Sequence, residues 1–81
     1  MRHQLFVIRD NKAAVYHGPF KAVNQEVFLR EIATVKGSDS IFGKHPEDFG
    51  VYCVGSFDDS SAIFEPVPPV HIANLIDLFG V

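Results

Sequence analysis

Few residues of this sequence have the types and spacing that a chemical site requires. The densest group of metal-binding side chains is His45, Glu47 and Asp48. A metal site needs several converging ligands, usually with more His or Cys than are present here. Pro46 followed by two acidic residues fits the first turn of a short helix or a 3₁₀ segment. We therefore interpret these residues as a helix start and predict no metal site.

The sequence also offers no convincing nucleophile. The single cysteine, Cys53, lies within an apolar segment, whereas a catalytic thiolate needs an electropositive, partly exposed setting and a nearby base. Asp58 and Asp59 fit a turn, where aspartate accepts hydrogen bonds from its own backbone. No serine lies in a nucleophile-elbow motif, and no glycine pattern forms a phosphate-binding loop. We therefore expect no enzyme activity and no cofactor.

Cations and aromatic residues are interleaved near the start of the chain, a pattern that suits a nucleic acid. Single strands are bound by cations that pair with phosphates and by aromatic faces on which bases stack. The alternative is that Phe20, which lies in the same segment, packs in the core and that the lysines are solvated surface residues. The candidate nucleic-acid-binding residues are Arg9, Lys12, Tyr16, Lys21 and Lys44.

The charge is divided unevenly along the 81 residues, whose formal net charge is −3. All seven Lys and Arg lie in residues 1–45 with four of the ten acids, so that half carries +3. The remaining six acids give residues 46–81 a charge of −6. Such asymmetry can indicate nucleic-acid contact or self-association. Halves that interleave in space would cancel it, and the net negative charge opposes non-specific attraction to phosphate.

Length and composition predict one domain, residues 1–81. A hydrophobic content of 47% is ample for a folded core. No apolar run approaches the roughly 18 residues that a membrane span needs, and no secretory signal pattern is present. Since a single cysteine cannot form an intramolecular disulfide, we expect a protein of a reducing cytoplasm.

The pattern of apolar and turn-forming residues predicts the element order ββαββα. Asn24 is the predicted N-cap of the main helix, over residues 25–36, with Gly37 after its end. Gly18-Pro19 and Pro66 are expected to end the second and fourth strands. The predicted strands are residues 4–9, 13–16, 50–57 and 62–65 or 62–67, and a short last helix is predicted over residues 72–79.

These elements predict an α+β fold, in which a four-stranded antiparallel sheet of two hairpins packs on one main helix. The first and third strands carry apolar residues on both faces, whereas a half-exposed antiparallel strand alternates polar and apolar residues. The second face should therefore be covered by the last helix, a second subunit or a ligand. A homodimer is expected on this ground.

Four segments carry a family resemblance, and their order and spacing agree over roughly residues 4–66. They resemble the small nonstructural protein of gokushoviruses, the single-stranded DNA phages of the Microviridae. The most specific segment is Lys-His-Pro-Glu-Asp-Phe at residues 44–49. The other three are Asp10-Asn11-Lys12-Ala13, Gly18-Pro19-Phe20 and residues 54–59.

The resemblance implies a non-capsid phage protein in the host bacterial cytoplasm. It implies DNA binding linked to genome replication or to the packaging of single strands, and it supplies no catalytic residue. The first hypothesis is therefore single-stranded DNA binding by a homodimer through the candidate residues. The alternative is a protein-interaction module that docks a host or phage replication protein through the acidic surface of residues 47–77.

Overall fold

A computed structural model describes residues 1–80 and confirms the predicted α+β class, with one four-stranded antiparallel sheet and short helices. A 3₁₀ turn lies at Pro46–Asp48, which is one of the two alternatives that the sequence predicted there. The strands are β1 (Arg2–Asp10), β2 (Val15–Ala22), β3 (Phe49–Asp58) and β4 (Ile63–Asn74), and the helices are α1 (Gln25–Ala33), α2 (Ile41–Lys44) and α3 (Leu75–Leu78).

The sheet has the strand order β2-β1-β3-β4, and all neighbouring strands are antiparallel. The two strands with apolar residues on both faces, β1 and β3, are therefore the central ones. In β1, four consecutive residues, Leu5 to Ile8, are buried. Each of the two central strands is flanked by a strand on both sides, and side chains of the flanking strands reduce the exposure of both of its faces.

The predicted end of the second strand at Gly18-Pro19 is wrong. β2 continues to Ala22, and the register shifts because Phe6 pairs with Phe20 while Ile8 pairs with His17. One extra residue of β2 is thus accommodated as a bulge beside the Gly18-Pro19 peptide, which is cis. An edge strand tolerates proline because half of its backbone N–H groups have no partner strand to bond.

The fourth strand also extends beyond its predicted end. It passes Pro66 and Pro68-Pro69 and ends at Asn74, with an irregularity where Gly55 pairs with Pro66 and Cys53 with Val70. As the other edge strand, β4 can contain prolines for the same reason. Because Ala73 still pairs with Val51, α3 begins only at Leu75, later than predicted.

Helix α1 begins as predicted and ends early. The Asn24 side chain accepts a hydrogen bond from the Val27 N–H at 2.9 Å, which confirms the N-cap. The helix ends at Ala33, and the following residues form i→i+3 bonds as a turn. Among residues 1–80, Glu26 and Arg30 form no ion pair within 4.0 Å.

All three α-helices pack on the same face of the sheet. Phe28 of α1 stacks on Phe6 with ring centroids 4.6 Å apart, and Leu75 and Phe79 join the same buried cluster. Phe42 of α2 packs edge-on against Phe49 in this cluster. The expectation that the last helix could cover the second face is therefore wrong.

None of the helices in residues 1–80 has the length and apolar character required to cross a membrane. The longest, α1, has nine residues and spans ~14 Å. A bilayer core is about 30 Å thick.

Candidate nucleic-acid interface

The sheet face opposite the helices is exposed in the part of the chain that the structure describes. Because side chains alternate along a strand and Phe6 and Ile8 face the helices, Leu5, Val7 and Arg9 face the other way. Residues that pair directly across neighbouring strands lie on the same face, so the registers assign the residues of β2, β3 and β4 as well. We call this surface the open face, and its residues are His3, Leu5, Val7, Arg9, Tyr16, Lys21, Tyr52, Phe57, Phe64 and His71.

One group of open-face side chains forms a row across all four strands. The guanidinium carbon of Arg9 lies 5.1 Å from the centre of the Tyr16 ring. Tyr16 contacts Tyr52 edge-on at 5.9 Å, and Tyr52 contacts His71 at 5.2 Å. We call these four residues the tyrosine cluster. Cation–aromatic contacts of this kind contribute about 0.5–1 kcal/mol at exposed sites.

Arg9 is oriented without being neutralised. Its Nε donates a hydrogen bond of 3.1 Å to the side-chain oxygen of Asn11, which is neutral. Within residues 1–80, no carboxylate lies within 4.0 Å of the Arg9 guanidinium. Its full positive charge is therefore available to a phosphate.

A second group lies towards the other end of the strands. The Lys21 ammonium lies 5.8 Å from the centre of the Phe57 ring, and Phe57 packs against Phe64 with centroids 4.8 Å apart. Phe64 lies on the edge strand and is 61% exposed. We call these three residues the phenylalanine cluster. Like the tyrosine cluster, it combines one cation with accessible aromatic surface.

The middle of the open face is apolar and already partly covered. Leu5 is 9% and Val7 is 8% exposed, although no helix of the described chain lies over them. Lys21 is the cross-strand neighbour of Leu5, and Tyr52 is that of Val7. The central apolar side chains are thus shielded without a second subunit.

The structure groups three of the five candidate residues and separates the other two. Arg9, Tyr16 and Lys21 lie on the open face. Lys12 lies in the turn between β1 and β2, and Lys44 is the last residue of α2, so both are outside this face. Lys12 borders a cleft of about 320 Å³, together with Ile41, His45 and other residues of that end of the molecule.

Four aromatic open-face residues were missed by sequence reasoning. Tyr52 and Phe57 belong to β3, and Phe64 and His71 belong to β4. Their types were compatible with a stacking surface, but their common orientation depends on the order β1-β3-β4 and on two register shifts. No local pattern in the sequence specifies either feature.

At one end of the sheet, the two oppositely charged parts of the sequence meet. The Asp59 carboxylate accepts hydrogen bonds from the Met1 ammonium at 2.5 Å and from His3 at 2.8 Å. Arg2 forms an ion pair with Glu65. The Met1 hydrogen bond, followed by that of His3, lowers the pKa of Asp59 to about 2. The charge asymmetry therefore cancels locally here.

The possible metal ligands lie close together but in a solvated position. The donor atoms of His45, Glu47 and Asp48 all lie within 4.8 Å of one another. His45 and Glu47 are 62% and 56% exposed, and Lys44 precedes them. Open exposure and an adjacent cation both weaken metal affinity, because water and charge repulsion compete with binding.

Cys53 packs beside the core cluster, as its apolar setting predicted. It is half-buried, and its Sγ lies 3.8 Å from the carbonyl oxygen of Gly55. No neighbouring cation or base in residues 1–80 bonds to the thiol. The geometry is that of a small core residue.

The comparisons with known proteins identify a family. No curated protein and no solved structure shows significant similarity to the chain. The model of the Phage ORF5 protein family matches residues 3–78, a region that includes nearly all of the sheet and all three helices. The chain therefore belongs to the Phage ORF5 protein family and is a bacteriophage protein, as the resemblance implied.

Proposed function

We propose that this phage accessory protein binds single-stranded DNA on the open face. The observation that carries the proposal is the tyrosine cluster, in which Arg9, Tyr16, Tyr52 and His71 form a continuous row across the sheet. A cation beside exposed ring faces offers both interactions that a single strand uses, which are phosphate pairing and base stacking.

The shape of the open face favours a single strand over a duplex. Bases in a duplex are paired and stacked, so their faces are hidden, and their edges are reached by a helix or ribbon that enters a groove. The open face belongs to a sheet and presents rings such as Tyr16, which is 44% exposed. Unpaired bases can lie directly on such rings.

The distribution of charge on the strands also supports the proposal. The acidic strand residues, Asp10, Asp58 and Glu65, have register positions on the helix-bearing side of the sheet. Arg9 and Lys21 have positions on the open face. The strands thus place two cations and no acid on this face, and Asp59, which bonds to His3 there, is paired with the Met1 ammonium, although the whole chain carries −3. Net repulsion from phosphate is reduced accordingly.

Fluorescence anisotropy with a labelled oligothymidine at low and moderate salt tests the proposal. We expect salt-dependent binding, and Arg9→Ala should weaken it and reduce the slope of log K against log salt by about 0.7 per lost phosphate contact. The matched control is Arg30→Ala, which removes the same charge from the exposed side of α1. Absence of binding at low salt, or equal effects of the two substitutions, contradicts the proposal.

The proposed biological setting follows the resemblance described above. The protein would act in the cytoplasm of a bacterium infected by a gokushovirus or related member of the Microviridae. Binding to single strands would serve genome replication or the transfer of the genome into capsids. Both steps expose single-stranded DNA in such phages, so one binding surface serves either.

Self-association as a homodimer is a separate proposal. Its support is two exposed apolar side chains of the edge strand β4, Val67 and Val70. Light scattering coupled to size-exclusion chromatography distinguishes a mass near 9.0 kDa from twice that value. A monomer at all concentrations contradicts this part of the proposal and leaves DNA binding by the open face intact.

The alternative of an acidic docking surface has weaker support. Of the acids in residues 46–80, Asp58, Asp59 and Glu65 already contact the first three residues of the chain. Glu47 and Asp48 lie in the 3₁₀ turn, away from this group in the sequence. Partner binding by the Arg9→Ala protein from infected-cell extract, without sensitivity to nuclease, would favour the alternative.

A further inference from the structure

The open face contains two separate stacking platforms. Tyr52 of the tyrosine cluster pairs with Val7, whereas Phe57 of the phenylalanine cluster pairs with His3. Their partners are four residues apart on β1, which places the clusters ~13 Å apart along the strand direction. Leu5 lies between His3 and Val7 on β1, and its side chain adds apolar surface between the two clusters.

Each platform is contacted by its own cation. Arg9 lies over Tyr16 in the tyrosine cluster, and Lys21 lies over Phe57 in the phenylalanine cluster. Lys21 is paired with Leu5, so the two cations are also four residues apart along β1. A DNA strand that contacted only one of the two clusters would meet a single cation.

We infer, on the basis of the proposed function, that one DNA strand runs parallel to the β-strands and stacks bases on both clusters. Stacked nucleotides rise ~3.4 Å each, so ~13 Å corresponds to on the order of four nucleotides, and to fewer when the strand is extended. Arg9 and Lys21 then pair with phosphates near the two platforms. In this arrangement the phenylalanine cluster binds DNA in the same way as the tyrosine cluster.

A length series of labelled oligothymidines from two to ten nucleotides tests the inference by anisotropy. We expect a steep rise in affinity up to about four or five nucleotides, where both platforms become occupied, and a shallow statistical rise beyond. Phe64→Ala and Tyr16→Ala should each remove this steep rise in affinity, which we call the step. Each should weaken binding of the eight-nucleotide ligand by about 5- to 150-fold, since one base stack contributes about 1–3 kcal/mol.

Neighbouring residues on the opposite face of the same strands provide matched controls. Ile63→Ala is the control for Phe64→Ala, and Val15→Ala is the control for Tyr16→Ala. All four side chains are exposed, so the folded state should survive each substitution, which circular dichroism checks. The controls should bind every oligonucleotide as the unaltered protein does.

The outcomes separate this inference from the proposed function. A smooth length dependence, or a Phe64→Ala protein that binds like Ile63→Ala while Tyr16→Ala is weakened, overturns the two-platform inference and leaves DNA binding in place. Absence of binding at every length overturns both. Loss of the step with Phe64→Ala and with Tyr16→Ala supports the inference.

Discussion

A single residue determines how closely β3 and its edge neighbour β4 approach each other. Gly55 has φ +144° at the irregularity where β3 pairs with both β1 and β4. A Cβ added at this position would collide with the backbone carbonyl oxygen of Glu65. Both the backbone conformation and the close approach therefore require glycine.

We expect Gly55→Ala to lower the free energy of unfolding by at least about 1–3 kcal/mol, from backbone strain alone, with the collision adding to this value. Urea denaturation measures the change. Gly37→Ala is the matched control, because Gly37 also has positive φ (+73°) but nothing within 4 Å of its added Cβ. Equal losses for the two variants would show that the strand contact contributes nothing.

The contacts of individual cations also show which of them are available to a ligand. Arg2 and Arg9 have the same side chain, but Arg2 contacts Glu65, whereas Arg9 contacts a tyrosine ring and a neutral amide. The sequence predicted Arg9 as a binding residue, and that assignment remains a prediction. The partners of each arginine could not be predicted, because they come from strands distant in sequence.

Elements differ in how well their ends can be predicted. The start of α1 depends on one local contact, between Asn24 and the Val27 N–H, and was predicted correctly. Its end at Ala33 was predicted three residues too late, because Val35 and Lys36 are compatible with a helix or a turn. Local capping chemistry is encoded by single residues, whereas the last turn depends on competition with tertiary packing.

Removal of the N-cap provides a test at the element scale. Asn24→Ala should lower the free energy of unfolding by about 1 kcal/mol, because the Val27 N–H loses its hydrogen-bond acceptor. The neighbouring exposed substitution Gln25→Ala should change it by less than ~0.5 kcal/mol. Thermal or urea denaturation of both variants measures the difference, and an unchanged stability for Asn24→Ala contradicts the capping role.

The ends of the two edge strands, β2 and β4, could not be predicted from local sequence. Prolines in β2 and β4 were interpreted as strand ends, but both strands pass through them. The interpretation would hold for a central strand, since proline has no backbone N–H and every N–H of a central strand points towards a partner strand. Whether a strand lies at an edge depends on the order of the whole sheet, which short-range patterns do not specify.

At the scale of the whole molecule, contacts between the chain start and the β3–β4 turn join distant parts of the sequence. The Met1 ammonium and His3 bond to Asp59, and their hydrogen bonds lower the pKa of this carboxyl to about 2. The same contact with Asp59 raises the pKa of the Met1 ammonium above 8.0. The folded state therefore favours the charged form of both groups.

This arrangement predicts a pH-dependent stability with a defined sign. Because the folded pKa of Asp59 is below its ordinary 3.8, its stabilising effect is complete above that value and is lost as the pH falls towards 2. The contribution of the Met1 ammonium is present below pH 8.0 and is lost at higher pH, as its raised pKa is passed. The melting temperature of Asp59→Asn should be below that of the unaltered protein at pH 6.

The two melting temperatures should converge as the pH falls from 4 to 2, and differential scanning calorimetry across this range measures them. Asp39→Asn is the matched control, because Asp39 is exposed and forms no ion pair within residues 1–80. A difference that stays constant with pH would contradict the role of the Asp59 carboxylate.

The sequence alone determined the α+β class, the four strands and the start of α1, because these features depend on local periodicity, turn chemistry and capping. It also indicated that cations and aromatic residues could form a binding surface. Only the tertiary structure decided that Arg9, Tyr16 and Tyr52 lie together while Lys12 and Lys44 lie elsewhere. Strand order, register shifts and the packing of all three helices on one face depend on contacts between residues distant in sequence, and these contacts exist only in the folded chain.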